Sequence, residues 1–135
     1  MCFSAAQRER KRIFGILGGM FNEKILDHFR TPHNPGELQD ASQIVQVTNP
    51  VCGDVLKLWV RMGAGRIVAA TFKAQGCVPA IAAGSALTDL LVGKTLPEAA
   101  QITPQAVSFA LGGLPEASFH AAELCGDAIA ALKPH

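Results

Sequence analysis

Apolar residues recur along this chain with two different periods, and the change of period divides it into parts. From Phe21 onward, Ile25, Leu26 and Phe29 fall at helical spacing, Asn22 stands where an N-cap would, and Pro32 stops the run. Three strand-like stretches follow. Gln43 to Thr48 alternates imperfectly around Ile44 and Val45. Asp54 to Met62 alternates cleanly, with Leu56, Leu58, Val60 and Met62 on one face and Val55, Lys57, Trp59 and Arg61 on the other. Arg66 to Lys73 returns after a tight Gly63-Ala64-Gly65 turn. Trp59 has the opposite parity to the leucines and is expected to cover the sheet's second face against a helix. Helical spacing then resumes: Ala80 to Leu91, a short helix after Lys94-Thr95, another from Thr103 towards Leu111, and a last from about Ser118 to Leu132 with Phe119, Leu124, Ala128 and Leu132 on one stripe. The pattern predicts an α+β domain, a small three-stranded antiparallel sheet packed with helices.

Composition narrows this further. A chain of 135 residues, 49% hydrophobic and 17% charged, is large enough to bury a core as one domain without staples. Its formal net charge of +1 gives no electrostatic reason to bind nucleic acid. The longest apolar run, Val78 to Val92, is broken by Pro79, Gly84, Ser85, Thr88 and Asp89, and reads as a buried helix rather than a membrane span. No secretory signal pattern opens the chain, so its four cysteines are expected in a reducing cytoplasm, where thiols in glycine-rich turns bind metals or react. Residues 1–19 differ from the rest, with a charge run from Gln7 to Arg12 and a short apolar tract from Ile13 to Gly19. They are expected to be a poorly ordered, dispensable extension, Met20 being an alternative start, before a domain of residues 20–135. The tract is too short and too weakly amphipathic to read as a membrane-surface segment.

Two glycine-flanked segments carry the candidate chemistry. Val51-Cys52-Gly53-Asp54 precedes the second strand, and Gln75-Gly76-Cys77-Val78-Pro79 follows the third. A hairpin joining them would bring both thiols to one end of the sheet. Cys77 falls at a predicted helix N-terminus, where dipole and free amides favour thiolate. His120 and Cys125 lie near the start of the last helix. Cysteine, histidine and aspartate together suit zinc or an iron–sulfur cluster, the carboxylate being a harder ligand that exchanges more readily. Free cysteine is equally often a small buried hydrophobe, and Cys125 taken alone reads better as a packing residue. His28 lies on the first helix and His33 within Thr31-Pro32-His33-Asn34-Pro35-Gly36, a segment that its two prolines and glycine already explain as a turn, so both are expected to be surface or turn-packing residues.

From Phe21 to Lys133 the chain resembles the IscU/NifU N-terminal type of iron–sulfur cluster assembly scaffold. Asp27-His28-Phe29 with Pro32-His33-Asn34-Pro35-Gly36 looks like that family's opening segment. Asn49-Pro50-Val51-Cys52-Gly53-Asp54 is similar to its first ligand segment, and Gly76-Cys77 with Ala80-Ile81-Ala82 to Ser85 to its second. Val92-Gly93-Lys94-Thr95-Leu96-Pro97-Glu98-Ala99 resembles its next turn. The resemblance implies a SufE/IscU-like fold and a scaffold, not an enzyme with turnover. Such a scaffold accepts sulfur from a cysteine desulfurase and iron from a donor, holds a transient [2Fe–2S] cluster and passes it to apo-proteins. It further implies Cys52, Cys77 and His120 as ligands and Asp54 as the weak ligand that keeps the cluster transferable. Two departures stand out. Aligned without a gap, the family's third cysteine falls on Ala121, with Cys125 one turn further along, about 6 Å at 1.5 Å per residue, as its possible replacement. Glu116, Ala117 and Ser118 stand where the family has Pro, Val and Lys, so recruitment of an Hsp70-type chaperone through that stretch is not implied. Two alternatives remain at this stage: a zinc-binding sulfur acceptor that activates a desulfurase, and a diverged binding protein without cluster chemistry.

Overall fold

The computed structural model describes residues 21–50 and 53–133. The proposed extension and Cys52 lie outside the described residues. Helix α1 spans Glu23–Arg30; Asn22 Oδ1 accepts from the Ile25 amide at 2.9 Å, and the Thr31 amide closes the last turn on the Asp27 carbonyl at 2.9 Å. Strands β1 (Gln43–Thr48), β2 (Val55–Gly63) and β3 (Arg66–Gln75) form an antiparallel sheet in the order β1-β2-β3. Gly63 pairs with Arg66 across Ala64 and Gly65, whose φ angles of +54° and +79° give the left-handed turn that matches strand twist. An irregularity at Arg61/Met62 leaves Val68 outside the pairing. β3 runs two residues past the expected Lys73 and so carries the chain to Gly76.

The loop after α1 lies along the open edge of β3. The Gly36 amide donates to the Phe72 carbonyl at 2.8 Å, and the Phe72 amide to the Asn34 carbonyl at 3.1 Å. Edge groups that would otherwise be free are thereby satisfied. Helix α2 (Val78–Leu91) is apolar and buried around most of its circumference, with Asp89 exposed on one flank, and packs on β3. Gly84 permits that approach: a Cβ there would fall 2.6 Å from Phe72 Cδ2. Short helices α3 (Leu96–Ala99) and α4 (Pro104–Ala110) follow, capped by Thr95 in a capping box with Glu98 and by Thr103. A 3₁₀ turn at Glu116–Ser118 precedes α5 (His120–Ala131), which begins two residues later than periodicity predicts.

Leu56, Leu58 and Val60 enter one core with Ile25, Phe72, Leu87, Leu91, Val107, Leu111 and Leu124, so the even-numbered face of β2 is the interior. Trp59 lies on the opposite face and is 3% exposed, with Lys57 Nζ 5.1 Å from its ring centroid. The described helices pack on the leucine face, so the helix expected to cover Trp59 is not found among the described residues.

Candidate metal centre

Three of the five candidate residues converge. Asp54 immediately precedes β2, Cys77 is the N-cap of α2, and His120 opens α5. Because Val55 pairs with Gln75, the first two arrive at the same end of the sheet. The Cys77 thiol donates to Asp54 Oδ2 at 3.3 Å; His120 Nε2 lies 3.4 Å from that oxygen and 3.6 Å from Cys77 Sγ. Asp54 is 4% exposed, while Cys77 and His120 are half-buried, so solvent reaches the cluster from the thiol and imidazole side. One donor atom from each residue lies within 4.8 Å of the others, a spacing one metal ion could span with small adjustments.

The backbone makes this arrangement possible at two glycines. Gly76 has φ +137°, and a Cβ there would overlap Asp54 Oδ1 and lie 2.6 Å from its Cγ. Only glycine lets the carboxylate lie against the β3–α2 junction. Gly53 has φ +74°, and its amide donates to the Asn49 carbonyl at 2.7 Å, while the Asn49 amide donates to the Asp54 carbonyl at 2.8 Å. That turn feeds Asp54 into β2.

The electrostatics correct one expectation. Cys77 does cap the helix, and the Ala80 amide pulls its pKa down, but the thiol is raised overall. Burial is the largest cause, and the hydrogen bond and negative charge of Asp54 add to it. In the metal-free chain Cys77 therefore favours the thiol, and a bound cation would supply the charge that stabilises thiolate.

Cys125 stands apart from this cluster. It is fully buried within the hydrophobic core, and burial alone pushes its thiol up to about 12. Ala121, where a further thiol would be sought, is 1% exposed in the same core. His28 and His33 are more than turn residues. His28 Nδ1 lies 2.6 Å from Ser85 Oγ, and His33 Nδ1 lies 2.5 Å from Asp89 Oδ2, so both are fastened to α2 together with an acid that sequence reasoning passed over. The only advance signal was Asp89 interrupting an apolar run.

The NifU-like N-terminal domain model matches residues 20–133. The chain belongs to this family. The iron–sulfur cluster assembly scaffold protein IscU 1 of Archaeoglobus fulgidus is 42% identical over 110 residues, covering 82% of this chain and 72% of its own length. IscU of Aquifex aeolicus is 39% identical over 106 residues, covering 77% and 68%. Among solved structures, the NifU-like N-terminal protein of Brucella abortus has a TM-score of 0.58 at 18% identity, covering 84% of this chain and 81% of that one, a likeness of fold. Within this NifU-like chain, the glycine-cysteine junctions, the Thr95 turn and the start of α5 all lie inside the matched span. Among the described residues, no helix is long and apolar enough to cross a membrane.

Proposed function

We infer that this protein is an iron–sulfur cluster assembly scaffold. The observation that carries the reading is the convergence of Asp54, Cys77 and His120 from three separated elements at one end of the sheet. Membership of the NifU-like family and the names of its IscU relatives support it. The cargo is a transient [2Fe–2S] cluster held by Cys52, Cys77 and His120, with Asp54 as the exchangeable ligand. Sulfur comes from a cysteine desulfurase, iron from a donor, and apo-proteins receive the product. Cys125 serves as a core residue, so the site has two thiolates, and it should hold its cluster less tightly than a three-thiolate site would. The reading is of a scaffold working in the cytoplasm without turnover chemistry of its own.

A second reading is a zinc-binding sulfur acceptor, favoured by the donor set itself: thiolate, imidazole and carboxylate suit four-coordinate zinc. Anaerobic reconstitution with ferrous iron, sulfide and a desulfurase separates the two. Sulfur-to-iron charge-transfer bands and two irons per cluster, both lost in Cys52→Ala or Cys77→Ala, are expected for the scaffold. A colourless protein that retains zinc would overturn the scaffold in favour of the acceptor, and a protein binding neither would leave only a binding role.

A further inference from the structure

We propose that His28, His33 and Asp89 form a second site, for a divalent first-row cation such as Zn²⁺ or Fe²⁺, on the flank of α2. One donor atom from each of the three lies within 4.8 Å of the others. Ser85 and Asp89 stand eight and twelve residues beyond Cys77 on α2, which places this site roughly 12–18 Å along the helix from the first. The two sites therefore share no ligand.

The donors match the chemistry of such ions: two imidazoles and one carboxylate leave open positions that water can fill. Tetrahedral ligands about 2.05 Å from zinc stand about 3.3 Å apart. The His33–Asp89 contact of 2.5 Å therefore opens by less than an ångström, and the His28 ring closes in. Its centroid is already 4.5 Å from that of His33.

Outer contacts hold these ligands in place. Ser85 Oγ accepts from the His33 backbone amide at 2.7 Å and lies 2.6 Å from His28 Nδ1. In the tautomer where Nδ1–H donates to that hydroxyl, the Nε2 lone pair of His28 is left for an ion. Asn34 Nδ2 donates to Asp89 Oδ1 at 3.3 Å and to Thr88 Oγ1 at 3.1 Å, which fixes the carboxylate from its far side. Asn34 holds a positive φ of +55° while its side chain makes these two bonds to α2. A plain ion pair between His33 and Asp89 would need neither His28 nor Ser85.

The test is a Co²⁺ titration of the full-length, tag-free chain, followed by absorbance and calorimetry. Two equivalents are expected, one with thiolate charge-transfer absorption and one without. Asp89→Asn and His33→Gln should weaken the second at least about tenfold and leave the thiolate band unchanged, and Ser85→Ala should weaken it about 10–100-fold. Cys77→Ala should remove the band and keep the second equivalent, so the proposal stands or falls independently of the scaffold reading. Folding is checked by circular dichroism, and in the unsubstituted chain Co²⁺ should broaden the imidazole resonances of His28 and His33. An equal Co²⁺ count and affinity in folded Asp89→Asn and His33→Gln would overturn the proposal, as would His28 and His33 resonances that stay sharp.

Discussion

Replacing Gly76 by alanine tests the link between backbone and site most directly. At φ +137° a side chain strains the backbone by about 1–3 kcal/mol. The new Cβ would also overlap Asp54 Oδ1 and lie 2.6 Å from Cγ and 3.1 Å from Cβ, while Asp54 is itself 4% exposed and has little room to yield. Overpacking of that kind adds about 1–3 kcal/mol, for a total loss of about 2–6 kcal/mol. Gly53→Ala is the control: it imposes a positive φ of +74°, but nothing lies within 4 Å of the added Cβ, so strain of about 1–2 kcal/mol is its whole cost. Urea denaturation of the metal-free chains measures both, and zinc titration measures the site. The expected result is a larger stability loss for Gly76→Ala than for Gly53→Ala, with zinc affinity reduced at least about tenfold as the carboxylate is pushed away. Equal losses with unchanged zinc affinity in Gly76→Ala would show that the carboxylate does not depend on the missing Cβ, and the geometric argument would fail.

Three further predictions follow from named contacts. Asp54→Ala removes both the hydrogen bond and the charge that help raise the Cys77 pKa, so Cys77 in the metal-free chain should be alkylated faster near neutral pH; an unchanged alkylation rate, resolved by peptide mass spectrometry, would contradict this. Cys125, raised from an ordinary value near 9 to about 12, binds its proton more tightly when folded. Its contribution is fully present below pH 9 and is lost as pH rises towards 12, by about 1.4 kcal/mol per pH unit between them. The chain has no tyrosine to confuse that range, so denaturation at pH 8 and pH 11 should show a smaller alkaline loss in Cys125→Ala than in the unsubstituted protein; cluster loading should be the same in both. Gly84→Ala gains about 1 kcal/mol of helix propensity but drives a Cβ to 2.6 Å from the buried Phe72 ring, so a net destabilisation of up to about 2 kcal/mol is expected, and a rise in melting temperature would refute the close packing of α2 on β3.

Much of the architecture is local in origin and was therefore open to reading from the chain. Alternation over Leu56, Leu58 and Val60 assigned the inner face of β2, because side chains in a strand alternate by geometry alone. Asn22, Thr95 and Thr103 announced helix starts because a capping oxygen satisfies amides two or three residues away. Cys77 falls at a helix N-terminus because Pro79 suits a first helical turn, not through a capping oxygen. Boundaries slipped at two places: pairing with Val55 extends β3 to Gln75, and a local 3₁₀ turn at Glu116–Ser118 delays α5.

What the chain could not reveal depends on neighbours far away in sequence. His120 comes within 3.6 Å of Cys77 only because α5 returns to the end of the sheet where β3 meets α2. A helix end by itself favours the Cys77 thiolate, yet burial and the neighbouring Asp54, both products of packing, raise the thiol instead. Cys125 sits one turn from Ala121 in the sequence, but the face that α5 buries sends it into the core. Nothing near His28 and His33 in sequence marks them out from surface or packing residues; it is α2 that sets Ser85 and Asp89 beside them. Period, capping and turn chemistry are properties of a few consecutive residues, so the sequence by itself determined the elements and their hinges. Which donors meet, and whether each is neutral or charged, depends on distance and desolvation across the assembled fold, and only the tertiary structure decided that.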